Sequence, residues 1–147
     1  MIAAYYDTAY LLKLFLPEPG ADAVRAHAAT VDVLVCSLHG RAELIAAIHR
    51  KIREGTATPS LLEALLSQVA ADQAAGALHW LPITEANLDR VQEAFRRAAP
   101  TVYLRAADAL HLASAAEQGF EEIYSNDRHL LTAAPLFGLR GLDVIAP

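Results

Sequence analysis

Short, nearly unbroken runs of apolar residues alternate along the chain with longer stretches in which apolar side chains return every three or four positions. The first pattern predicts strands buried on both faces, the second helices with one buried face. Ile2–Tyr6 predicts a strand, Thr8–Leu16 a short helix stopped by Pro17 and Pro19, and Ala21–Ala29 a further helix. Val31–Cys36 (VDVLVC) is rich in β-branched residues and predicts a second strand. Ser37–Arg53 carries Leu38, Ala42, Ile45, Ile48 and Ile52 at helical spacing. Gly55–Pro59 then forms a turn, and Ser60 is the expected cap of a helix reaching about Ala75. After Gly76, Leu78–Ile83 predicts a brief strand whose Pro82 points to a sheet edge. Thr84 with Asn87 opens a helix to about Ala99, and Ala106–Gln118 is helical with Gly119 closing it. Ile123–Ser125 predicts a strand, Arg128–Ala133 a helical turn and Leu142–Ile145 a last strand.

Strands separated by helices predict parallel βαβ units. The expected fold is therefore a three-layer α/β/α sandwich around a mainly parallel sheet, forming one domain over residues 1–147. Composition supports this: 54% of residues are hydrophobic and 20% charged, which excludes a disordered chain. The one cysteine, Cys36, excludes an internal disulfide and suits a reducing compartment. With no leader pattern and no membrane-spanning apolar run, the expected location is the cytoplasm. The net charge of −5 lacks the basic footprint of a general nucleic-acid binder, so an anionic polymer would need a local basic patch or a bound cation.

Four acids stand where such a fold places its ligands, outside the carboxyl ends of the strands. Asp7 follows the first strand, Asp127 follows the Ile123–Ser125 strand, Glu43 lies early in the helix after the second strand, and Asp108 lies at the start of the Ala106–Gln118 helix. Asp108 shares a stripe with Leu104, His111, Leu112 and Ala115, and Glu43 neighbours Gly40, Ala46 and Ala47, so both are expected to point inward. Two carboxylates about 4 Å apart repel by about 4 kcal/mol at an effective dielectric of 20, and a hard divalent cation removes that penalty. Each acid also has an ordinary reading. Asp7 and Asp127 can cap helices, Glu43 can pair with Arg50 or Lys51, and Asp108 can pair with Arg105. His39, His111 and His129 leave metal-independent acid–base chemistry by histidine open, although no second histidine completes a zinc spacing around Glu43. Lys13, Arg41, Arg105 and Arg128 lie near the expected site edge and are candidate phosphate contacts.

The segments YYDTAYLLKLFLPEPG (Tyr5–Gly20), RAELIAAIHR (Arg41–Arg50), RAADALHLASAAEQG (Arg105–Gly119), YSNDRHLL (Tyr124–Leu131) and GLRGLDVIAP (Gly138–Pro147) occur in that order. As a set they resemble a PIN domain, and more narrowly the VapC-type toxin ribonucleases. The resemblance implies a parallel sheet flanked by helices and a divalent-metal-dependent endoribonuclease. It places the metal-binding and catalytic acids on Asp7, Glu43, Asp108 and Asp127, with Mg²⁺ or Mn²⁺ as the ion. Thr8 and Ser125 match the accompanying hydroxyl positions, and Asn126 matches less closely. The expected partners are RNA, a VapB-type antitoxin and a second copy of the chain in a homodimer, with no membrane. The Ser37–Ala75 helix pair is a candidate surface for these protein partners, with ordinary core packing as the alternative. A protein-interaction module whose acids are structural remains the non-enzymatic reading.

Overall fold

The computed structural model describes residues 1–147. Five strands form the sheet: β1 (Ala3–Tyr5), β2 (Val33–Ser37), β3 (Leu78–Leu81), β4 (Glu122–Tyr124) and β5 (Arg140–Leu142). All hydrogen-bonded neighbours are parallel, in the ladders β1–β2–β3 and β4–β5. A parallel bridge from Tyr6 to Tyr124, with Asp7 N–H donating to the Tyr124 carbonyl at 3.1 Å, joins the two ladders. The spatial order is therefore β3-β2-β1-β4-β5, and β3, with Pro82 just beyond it, is an edge as expected.

Seven helices cover both faces: α1 (Thr8–Phe15), α2 (Ala21–Ala28), α3 (Leu38–Arg53), α4 (Pro59–Ala74), α5 (Glu85–Arg97), α6 (Ala106–Glu117) and α7 (Arg128–Ala133). The period-two alternation of the strands decides which core each residue joins. Ala4, Tyr6 and Cys36 pack against Leu11, Val24, Leu44, Ile48, Leu65 and Val69 from α1 to α4. Tyr5 and Val35 point the other way, into Ala109, Leu112, Ile123, Leu130 and Phe137. Both faces being covered, the strands read as continuous apolar runs.

The architecture is the expected one, with three local differences. Thr58, not Ser60, caps α4, accepting from Leu61 N–H at 3.3 Å with Pro59 in the first turn, where its missing donor costs nothing. A 3-10 helix, Ala134–Phe137, follows α7. The last strand is Arg140–Leu142, earlier than Leu142–Ile145, because Asp143 withdraws the following backbone from the ladder. Its Oδ1 accepts from Ile145 N–H at 2.9 Å and from Tyr10 OH at 2.5 Å, while Tyr10 OH accepts from Val144 N–H at 2.7 Å. In the Ser37–Ala75 pair, Leu44, Ile48, Leu65 and Val69 are core while Leu38 and Ile45 are exposed. No helix is long and apolar enough to cross a membrane.

Candidate active site

The carboxyl edge of the sheet is built by chain breaks that turn strand into helix. Asp7 ends β1 and caps α1, its Oδ1 accepting from Tyr10 N–H at 3.0 Å. Asp127, two residues beyond Ser125, caps α7, its Oδ1 accepting from His129 and Leu130 N–H at 2.8 and 3.2 Å. Glu43 lies in the second turn of α3 and Asp108 in the first turn of α6. All four acids line one cavity of about 280 Å³, together with Thr8, Ala47, Arg50, Arg105 and His111. A larger cavity of about 480 Å³ opens at the amino ends of the strands, lined by Ala3, Ala4, Glu121 and Glu122 among others, and gathers none of the four.

Capping and convergence are compatible here, because each cap uses one carboxylate oxygen and leaves the other. Asp7 Oδ2 accepts from Ser125 OH at 2.5 Å, and Ser125 Oγ accepts in turn from Asp127 N–H at 2.9 Å. Ser125 thus ties the first acid to the fourth without lining the cavity. Asp127 Oδ2 and Asp108 Oδ2 are bridged by the half-exposed Arg105, at 3.1 and 3.0 Å. Glu43 Oε1 accepts from Thr8 OH at 2.9 Å and lies 2.7 Å from His111 Nε2. The pairing of Glu43 with Arg50 or Lys51 is absent. Arg50 faces Glu54 at 3.9 Å and Lys51 faces Glu18 at 3.2 Å.

The electrostatics separate the acids. Burial pushes the Asp7 carboxyl above the usual range, against the pull of His111 and the Ser125 and Tyr10 hydrogen bonds, and Asp108 adds repulsion. No lysine or arginine pairs with Asp7, which is 4% exposed. Burial acts on Glu43 in the same sense, but the His111 and Thr8 bonds outweigh it and hold this carboxyl below its usual range. His111 is sealed at 1% exposure. Burial opposes its charge, yet Tyr5, Cys36 and Glu43 raise its pKa well above the ordinary value. Gly40 makes room for that ring: a Cβ there would stand 2.5 Å from Cys36 Sγ, 3.1 Å from His111 Cε1 and 3.2 Å from Thr8 Oγ1.

The donor chemistry fits a hard divalent ion. Asp7 is a buried carboxylate without a lysine or arginine partner, and the wall around it offers the carboxylates of Glu43, Asp108 and Asp127 and the Thr8 hydroxyl, beside Arg50, Arg105 and His111. Asp7 and Asp108 are the two buried acids of the four, so they would be the core of such a site, with Glu43 and Asp127 at its sides. Arg105 stands in part where a cation would, and as an exposed side chain it can swing away.

The basic candidates divide. Arg105 lines the cavity. Lys13 does not: it is buried, with its ammonium on Glu18 at 3.3 Å, so it is not a free phosphate contact. Arg41 lines a separate groove between α3 and α4, and Arg128 and Asn126 are exposed outside the cavity wall. Arg50, expected as an ion-pair partner of Glu43, instead lines the cavity beside it. Its signal was periodicity, since 43, 47 and 50 share one face of α3.

The sequence profile of the PIN domain family matches residues 4–134. A search of curated protein sequences finds no match. Among solved structures, the chain is similar to FitAcB from Neisseria gonorrhoeae, with TM-score 0.74 and 17% identity over 98% of this chain and 99% of that one. It is similar to Mycobacterium tuberculosis VapC20, described as a sarcin-ricin loop cleaving toxin, with TM-score 0.70 and 17% identity over 93% and 98%. VapBC2 from Rickettsia felis, bound to a promoter DNA fragment, matches with TM-score 0.64 and 14% identity over 97% and 98%. At these identities the likenesses speak for the fold, and the profile match over most of the chain carries the assignment: the chain belongs to the PIN domain family.

Proposed function

We propose that the protein is a metal-dependent endoribonuclease of the VapC type, the toxin of a toxin–antitoxin pair acting in the cytoplasm. The observation that carries the reading is the convergence of four acids from four elements on one cavity at the carboxyl edge of a parallel sheet. Asp7 and Asp108 would hold Mg²⁺, or Mn²⁺ in its place, with Glu43 and Asp127 completing the oxygen shell. When bound, such an ion polarises the scissile phosphate and lowers the pKa of an attacking water. Ser125 and Thr8 fix the Asp7 and Glu43 carboxylates by direct hydrogen bonds, at 2.5 and 2.9 Å. Arg105, released from Asp108 and Asp127, and Arg50 would meet backbone phosphates, positioning RNA without reading its sequence.

A VapB-type antitoxin and a second copy of the chain are the expected protein partners. The FitAB and VapBC complexes among the similar structures support the antitoxin. Exposed apolar residues on α3 (Leu38, Ile45) and α5 (Leu88, Phe95) offer surface for both.

The histidine mechanism has less behind it, since His111 and His39 have both ring nitrogens engaged, with Tyr5 and Glu43 and with Ser37 and the Ala107 carbonyl, and His129 lies against Tyr103 outside the cavity wall. The structural reading of the acids draws on their caps and ion pairs. One experiment separates the readings. Purified protein is incubated with a structured RNA in Mg²⁺, in EDTA, and as Asp7→Asn and Asp108→Asn. Cleavage is expected in Mg²⁺ alone and only with both aspartates. Cleavage that survives EDTA sinks the metal reading, and folded protein inert on RNA in Mg²⁺ returns the acids to a structural role.

A further inference from the structure

The ligand atoms that come closest together are not those of the four acids. His39, one turn before Glu43 on α3, and His111 on α6 bring both Nε2 atoms to the same oxygen, Glu43 Oε1, at 3.5 and 2.7 Å. The three potential ligand atoms lie within 4.8 Å of one another, and the imidazole centroids are 4.2 Å apart. No zinc spacing is visible along the chain because the second histidine arrives from another helix, 72 residues on by numbering.

The far side of each ring is already held. His39 Nδ1 lies 2.5 Å from Ser37 Oγ, and His111 Nδ1 lies 2.8 Å from Tyr5 OH. That is how metal-ligating histidines are oriented, with the second nitrogen bonded and the first aimed at the ion. Two imidazoles and one carboxylate, of which Glu43 and His111 line the cavity, form a donor set for Zn²⁺ and similar borderline ions rather than for Mg²⁺. Four-coordinate zinc with ligands at 2.0–2.1 Å needs ligand atoms about 3.3 Å apart, against 3.5 and 2.7 Å for the two histidine–carboxylate pairs here.

We propose that His39, Glu43 and His111 form a second, softer cation site that takes Zn²⁺, and that its occupation ties up Glu43 and weakens the adjoining oxygen site. On binding, His39 Nε2 gives up its 2.9 Å hydrogen bond to the Ala107 carbonyl. The Nε2 proton that His111 holds against Glu43 leaves to solvent, His39 shifts to the Nδ1–H tautomer, and the remaining Nδ1 protons are accepted by Tyr5 OH and Ser37 Oγ. The binding stands on the three side chains alone; only the inhibitory consequence rests on the nuclease reading.

The test is a Co²⁺ titration of the full chain, stripped of metal, followed by visible absorption and proton NMR. Expected are the intense bands of four-coordinate Co²⁺, saturating at one equivalent and bleached by one equivalent of Zn²⁺. Two exchangeable, strongly shifted imidazole protons should accompany them. Asp108→Asn should keep the spectrum, while His39→Gln should weaken Co²⁺ binding by roughly tenfold or more. A pale six-coordinate spectrum without shifted imidazole protons overturns the site in the wild-type chain alone, whatever the variants do. A spectrum lost in Asp108→Asn and kept in His39→Gln overturns it equally. In the RNA assay, Zn²⁺ should suppress Mg²⁺-driven cleavage by the wild type more than by His39→Gln, each against its own rate. Equal suppression refutes the coupling to Glu43. No cleavage in any condition, with the Co²⁺ spectrum intact, refutes the nuclease reading and leaves the site.

Discussion

Asp7 shows most clearly how one residue serves two ends. It caps α1 through one oxygen, and through the other, held by Ser125, it remains a buried carboxylate with no lysine or arginine partner. Such a charge is costly to leave unpaired, so Asp7→Asn, which keeps the capping oxygen, should stabilise the metal-free protein. The expected gain is about 1 kcal/mol, or ~2–4 °C in Tm for a chain of this size. Mg²⁺ should raise the wild-type Tm by linkage and leave the variant unmoved. Thermal unfolding with and without Mg²⁺ checks both halves; a destabilised variant would mean that the charge is already compensated. Gly40 makes the complementary case. Gly40→Ala forces a methyl into Cys36 Sγ and the His111 ring and should cost about 1–3 kcal/mol in urea denaturation. Adding Cys36→Ala should return part of that loss, since it removes the nearest clash.

At the scale of elements, helix beginnings do most of the positioning. The carboxylates of Asp7 and Asp127 fix the first turns of α1 and α7, so the site and the helix starts are stabilised by the same bonds. The capping box of α5 provides a control far from the chemistry: Thr84 Oγ1 accepts from Asn87 N–H at 3.3 Å, and Asn87 Oδ1 accepts from Thr84 N–H at 2.8 Å. Thr84→Ala should cost about 0.5–2 kcal/mol of stability, measured by denaturant midpoint, without altering metal binding. A change in metal response there would mean that α5 communicates with the cavity.

At the scale of the whole molecule, the seam between β1 and β4 decides whether the site exists. Only one bridge joins the two ladders, and α2 braces it: His27 stacks on Tyr6 and Tyr124, with centroids 5.7 and 4.4 Å away, and its Nδ1 lies 2.5 Å from Tyr6 OH. Burial lowers the His27 pKa below its ordinary 6.5. Below 6.5 the unfolded chain therefore takes this proton before the folded one. Its share of stability is present at neutral pH and is lost as pH falls from 6.5 through the lowered folded value. His27→Phe should flatten the decline in stability between neutral pH and about pH 5, relative to wild type. An unchanged slope would show that the protonated ring is accommodated at no cost.

Alternation of apolar runs and helical patterns was enough to determine the layer order, most element boundaries and the placing of four acids at strand ends and helix starts, because these follow from local periodicity and capping. Where local side-chain bonds compete with the ladder, as at Asp143, the pattern misplaced the last strand by two or three residues. Only the tertiary structure decided that Ser125 holds the second oxygen of Asp7, that Arg105 bridges Asp108 and Asp127, that Lys13 is spent on Glu18, and that His111 meets His39 across Glu43. Those facts depend on contacts between residues far apart in the chain, whose distances no spacing along it records.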